Sequence, residues 1–196
     1  MTYLFIDGSN LYASQYELVG PKRFIHFPTL ITSLEKNLHI MFDVIYFYGS
    51  YSPRPSHPTK EQQIYLNNEY YFYKSVKEEK RTTFFKGYRS KTSGKEKEVD
   101  VKLSVDLVGY GLLDKFNKAF LMTGDADFLQ ACHFLKIHKP SILLTLLCMQ
   151  NKIMYKGLFY YPSYIIRMDH VSIMNIARRS KYLNLKKTAD LCPRLS

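Results

Sequence analysis

Five short runs of this chain are almost wholly apolar, and they alternate with longer stretches of helical spacing. The runs are Tyr3–Ile6, Asp43–Tyr48, Thr83–Phe85, Ala119–Met122 and Ile142–Leu147. Segments of that length and composition predict strands covered on both faces. Helices are predicted near Thr29–Asn37, Lys60–Glu79, Val99–Leu113 and Phe128–Lys136. In the last of these, Phe128, Ala131, Cys132 and Leu135 recur at i, i+3, i+4 and i+7, which gives one buried face. Strand–helix alternation predicts an α/β chain of three layers, a Rossmann-like fold with a mostly parallel central sheet.

A chain of 196 residues suits one domain with at most a small appendage, and 46% hydrophobic residues supply a sizeable core. Two segments read as loops. Tyr51–Pro58 carries three prolines in eight residues, and Arg89–Lys97 is charged and lacks apolar side chains. Arg178–Ser196 carries six basic residues and one acid, and reads as a basic terminal helix or tail. The expected division is a domain over residues 1–170 and a basic extension over 171–196.

In an open parallel sheet, sites form at the carboxyl ends of the strands. Three acids fall there. Asp7 ends the first strand in FIDGSN, Asp125 follows the fourth in TGDADF, and Asp100 opens the helix of KEVDVKLSVDL. Each has an ordinary structural explanation. Asp7-Gly8 could be a plain turn. Thr123 or Asp125 could cap a helix, and Asp100 and Asp127 suit a first helical turn. Aspartates gathered at one edge repel each other in a low-dielectric cleft, however, and a divalent cation offsets that cost. Hard oxygen ligands select Mg²⁺ or Mn²⁺, which need few carboxylates besides water and phosphate.

Asp106 lies six residues after Asp100, about 120° round a helix, so the two do not share one ligand shell. It reads as a supporting group near the metal or as the partner of a Lys or Arg. Asn10 follows Asp7 by three and either caps a helix or orients Asp7 or a phosphate; Ser9 lies beside it. A haloacid-dehalogenase-type phosphatase would need an Asp where Ser9 stands.

The formal net charge of +11 favours a polyanion as partner. Lys74–Lys102 holds ten basic residues against five acids, and Lys86, Arg89, Lys91 and Lys95 could track a phosphate backbone or form a solvated loop. Among Tyr70, Tyr71, Phe72 and Tyr73, consecutive on a helix, at least half should be core, leaving the others for base stacking. His133 and His138 are five apart, which is not a helical zinc spacing. Cys132, Cys148 and Cys192 match no zinc pattern and read as reduced thiols. The amino terminus has no signal-peptide pattern, and the longest apolar run, Ile142–Met149, cannot span a bilayer. The expectation is a cytoplasmic protein that is not membrane-bound.

Taken together, FIDGSNLY, KEVDVKLSVDL and TGDADF resemble, in order and spacing, the motifs of the NYN family (LabA-like proteins), relatives of PIN-domain and flap-endonuclease nucleases. The resemblance spans roughly residues 2–170 and rests on three motifs rather than one. It implies a PIN-like fold and catalytic, metal-holding roles for Asp7, Asp100, Asp125 and, as fourth acid, Asp127; Asp106 and Thr123 are read from their positions as supporting residues. The expected function is an Mg²⁺- or Mn²⁺-dependent ribonuclease, an endonuclease on single-stranded RNA or flexible loops. The alternative is an inactive module of the same fold that binds RNA or protein. RNA is favoured over DNA as partner, and a homodimer is compatible with the sequence.

Overall fold

The structure is a computed structural model that describes residues 1–20, 23–89, 96–152, 161–167 and 180–184; for 89, 96–97, 167 and 180–184 it describes the backbone alone. In chain order the elements are β1 (Thr2–Asp7), α1 (Gly8–Val19), α2 (Phe27–Leu38), β2 (Val44–Gly49), α3 (Lys60–Val76), β3 (Thr82–Lys86), β4 (Tyr88–Arg89), β5 (Glu96–Lys97), α4 (Val99–Leu112), β6 (Lys118–Met122), α5 (Leu129–His138), β7 (Leu143–Met149), β8 (Ser163–Arg167) and β9 (Ser180–Asn184). A single 3₁₀ turn over Ala126–Phe128 leads into α5.

Seven strands form one sheet in the order β3-β2-β1-β6-β7-β8-β9, and every neighbouring pair is parallel. The five expected strands are all present, shifted by a residue or two. From β1 the chain steps outward through β2 to β3, then crosses back to lay β6 on the other side of β1. The β1–β6 crevice is therefore the point where the winding reverses, the place where open α/β sheets bind ligands.

Strand alternation divides the core in two. Leu4 and Ile6 of β1 meet Tyr12 of α1, Leu30 and Ile31 of α2 and Phe72 of α3 on one face. Tyr3 and Phe5 meet Leu103 and Leu107 of α4 and Cys132 and Leu135 of α5 on the other. The layers are thus helix, sheet and helix, as the alternating pattern predicts. Phe72 and Tyr73 are buried while Tyr70 and Tyr71 are exposed, so half of that aromatic quartet is core. Helix α3 opens on a capping box in which Thr59 and Gln62 satisfy each other's backbone amides.

Three features differ from the sequence expectation. Helix α1 starts immediately after β1, with Asp7 as its N-cap, where a plain turn was one reading. No loop intervenes because Gly8 lets the helix start lie against β2: a methyl there would overlap the Phe47 ring and stand 2.6 Å from the Tyr48 carbonyl oxygen. The loop expected over Arg89–Lys97 is flanked by a short antiparallel β4–β5 ladder. Within the segment read as a basic terminal helix or tail, Ser180–Asn184 pairs as a strand with β8. The open edge of β8 offers backbone groups to that segment, and its Tyr182-Leu183 pair suits a strand.

Candidate metal centre and nucleic-acid edge

Asp7 closes β1 and is buried. Its Oδ1 accepts from the Asn10 backbone amide at 3.0 Å, the usual cap of a helix start. Its Oδ2 accepts from the Thr123 hydroxyl at 2.9 Å. Thr123 follows β6 directly, and the β1–β6 register pairs Ile6 with Met122, so the next residue on each strand projects to the same face. The Thr123 oxygen in turn accepts from the Asp125 backbone amide at 3.0 Å. The Asn10 side-chain oxygen accepts from the Gly124 amide at 3.2 Å. Two motifs more than a hundred residues apart are thereby fastened by reciprocal hydrogen bonds. Asn10 does not cap α1; it ties the two loops together.

Asp125 is half-buried and caps the 3₁₀ turn, its Oδ1 accepting from the Asp127 amide at 3.0 Å. The capping reading of Asp125 holds, and it leaves the second carboxylate oxygen out of the cap. Asp127 is exposed. Asp100 lies exposed in the first turn of α4, and Ser9 is half-buried in the first turn of α1. Behind the loop, a methyl on Gly124 would overlap the Lys152 carbonyl oxygen, so the exit of β7 packs directly on it. Lys152 also reaches Glu17 of α1 at 2.8 Å and holds that carboxyl below its ordinary range.

Asp106 sits in a separate network. Its Oδ2 accepts from the Tyr48 hydroxyl at 2.8 Å and its Oδ1 from Lys102 Nζ at 2.5 Å. Both oxygens have protein partners, which fits the ion-pair reading made from its position in the helix. Burial first, and then this hydrogen bond, push the Tyr48 phenol well above its ordinary pKa. Tyr48 is the register partner of Asp7, so the pair supports the floor beside the acid. Lys102, which also stands 5.8 Å from the Phe85 ring centre, escaped attention in the sequence. Its only signal was the i, i+4 spacing to Asp106.

On the neighbouring strand β3, Lys86 is exposed, with Nζ 5.4 Å from the Tyr51 ring centre. Lys77 shares that ring at 5.9 Å. Arg89 is described in its backbone alone, and Lys91 and Lys95 lie outside the described residues.

A divalent cation can be tested against this donor set. Among the described residues no three His, Cys, Asp or Glu side chains lie together as an all-protein metal cage. Mg²⁺ does not need one: it binds through one or two carboxylates and fills its octahedron with waters and phosphate oxygens. Asp7 and Asp125, joined through Thr123, supply hard oxygens of that kind. The residues fit a hydrated hard cation.

The NYN domain model matches residues 1–152. The chain belongs to the NYN domain family, which has a PIN-like nuclease fold. Among solved structures it is similar to a protein of unknown function from Vibrio parahaemolyticus, with a TM-score of 0.55 and 13% identity over 86% of this chain and 93% of that one. That likeness concerns the fold alone. No curated protein matches the sequence. Among the described residues no helix is long and apolar enough to cross a membrane.

Proposed function

We propose that this chain is a divalent-metal-dependent ribonuclease, an endonuclease that hydrolyses single-stranded RNA or flexible loops. The observation that carries the reading is the Asp7–Thr123–Asp125 chain of hydrogen bonds at the point where the sheet reverses. Asp7 and Asp125 would hold Mg²⁺ or Mn²⁺, with Asp100 and Asp127 joining when substrate is bound. When present, such an ion activates water and offsets charge on the phosphoryl group. Asp7 is held by its N-cap bond and by Thr123, so its carboxylate is oriented before substrate arrives. Asn10 fixes the Gly124 amide and with it the approach of the Asp125 loop. Ser9 and Asn10 flank the phosphate, and Lys86, Arg89, Lys91 and Lys95 follow the backbone. The +11 charge supports a polyanionic substrate whose affinity falls steeply with salt. The reducing interior of a cell, the cytoplasm, suits a ribonuclease with three unpatterned cysteines.

A second reading rests on the lack of a three-ligand cluster among the described residues: a module that binds RNA without cleaving it. One experiment separates the two. Single-stranded and hairpin RNAs are incubated with wild type, Asp7→Asn and Asp125→Asn, with Mg²⁺, Mn²⁺ or chelator. Cleavage by wild type alone, abolished by chelation, is expected. Binding without cleavage in either ion establishes the module instead, and equal cleavage by all three proteins points to a contaminant.

A further inference from the structure

Along the sheet edge, two directions lead away from the β1–β6 crevice, and they differ in charge. On the β7 side the chain packs directly on the Asp125 loop, since a methyl on Gly124 would overlap the Lys152 carbonyl oxygen. The Lys152 ammonium is itself neutralised by Glu17. On the other side, Tyr51 follows β2 by two residues and Lys86 ends β3. The register sets Tyr48 between Asp7 and Phe85. The backbone of Lys86 therefore stands two strand spacings, about 10 Å, from that of Asp7. A nucleic-acid strand covers such a distance within a few nucleotides.

The Tyr51 ring is set from behind and gathers two cations. It meets the buried Tyr73 ring edge-on, at 4.9 Å between centres and 86° between planes. Lys86 Nζ lies 5.4 Å from the Tyr51 ring centre and Lys77 Nζ 5.9 Å, and Lys77 also stands 5.4 Å from the Phe84 ring centre. Both lysines are exposed, and neither pairs with a carboxylate among the described residues. The neighbouring acids are engaged elsewhere. Glu69 accepts from the Ser52 amide and hydroxyl, Glu78 pairs with His26, and Glu79 pairs with Arg81. Lys102, by contrast, is neutralised by Asp106. Two ammonium groups drawn to one ring repel each other, and the ring offsets only about 0.5–1 kcal/mol for each. An anion that meets both removes the repulsion.

We propose that Lys77 and Lys86, set by Tyr51, clamp the phosphates of the RNA backbone where it leaves the metal centre over β2 and β3. The clamp rests on the ribonuclease reading above, and Tyr51 acts in it as a positioning residue. The test is fluorescence anisotropy of a labelled single-stranded RNA titrated with the full chain in EDTA, between about 0.05 and 0.3 M salt. Lys77→Gln and Lys86→Gln should each lower the slope of log affinity against log salt by about 0.7, and weaken binding about fivefold at about 0.1 M salt. Tyr51→Leu should weaken binding about two- to fivefold, whereas Tyr51→Phe keeps the ring and should bind like wild type. Lys139→Gln is the control, because Asp114 holds that ammonium at the opposite edge of the sheet. Circular-dichroism melting shows whether Tyr51→Leu folds, and the two exposed lysines decide the matter if it does not. If wild type binds RNA and either lysine variant keeps the full slope, the clamp is overturned and the ribonuclease reading stands. An equal loss from Lys139→Gln overturns it too. A wild type that binds no RNA overturns both.

Discussion

The Thr123 hydroxyl donates to Asp7 Oδ2 at 2.9 Å, across 116 positions of sequence, and accepts from the Asp125 amide through the same oxygen. One small side chain thus sets the relative position of two acids. Thr123→Val keeps the shape and deletes both bonds. Loss of such a supporting group is expected to lower cleavage or Mn²⁺ affinity about 10- to 100-fold. The stability cost should be only about 1–2 kcal/mol, because one buried acceptor loses its donor. Paired RNA-cleavage and urea-unfolding measurements check both halves. Undiminished cleavage by a folded variant would remove Thr123 from the site.

Glu98 precedes α4 with φ 72°, a left-handed conformation, and its side chain makes no capping bond. The strained position lies two residues from Asp100. Glu98→Gly relieves a local cost of about 1 kcal/mol, partly offset by the greater freedom of glycine in the unfolded chain. The expected result is a melting midpoint higher by about 1–3 °C. A lower midpoint would mean that Glu98 contributes more than its backbone conformation costs.

Arg81 fastens three segments. It bonds Glu79 through Nε at 2.9 Å, and through Nη1 it bonds Glu35 of α2 at 2.6 Å and the Phe42 carbonyl at 3.0 Å. The hydrogen bond from Arg81 is the main reason Glu79 has a folded pKa below its ordinary 4.5. A depressed carboxyl stabilises the fold above the unfolded value and ceases to do so as pH falls through the folded one. Arg81→Met should therefore cost about 2 kcal/mol at pH 7 and clearly less near pH 3. Denaturant unfolding at the two pH values tests the sign, and equal costs would exclude the carboxylate as the source.

The central strands were legible because β1, β6 and β7 have helices or strands on every side and read as unbroken apolar runs. Asp7 and Asp125 stood out for a related reason: a polar residue at or just past the end of such a run is conspicuous, whereas Asp100 stood out only as the acid that opens a helix after a charged loop. Helix α1 was not legible. Gly8, Ser9 and Asn10 favour a turn in isolation, and only the packing of Gly8 against Phe47 shows why the helix starts there. The ties from Thr123 to Asp7 and from Asn10 to Gly124 were equally hidden, since they depend on the β1–β6 register rather than on local spacing. Lys102 went unread because an i, i+4 Lys–Asp pair is ordinary on a helix surface; the buried Tyr48 hydroxyl that completes its network comes from another strand.

The reversal of winding between β1 and β6 has a consequence for synthesis. Strands β1, β2 and β3 lie within the first 86 residues and can pair as soon as they leave the ribosome, but β6 begins at Lys118. Until then one side of β1 has no neighbour, and the backbone groups of an apolar strand remain open to pairing with other chains. The same delay keeps Asp7 apart from Thr123 and Asp125. A truncated or stalled product is thus adhesive and lacks the tie between Asp7 and Thr123 at once, and both conditions end when β6 docks.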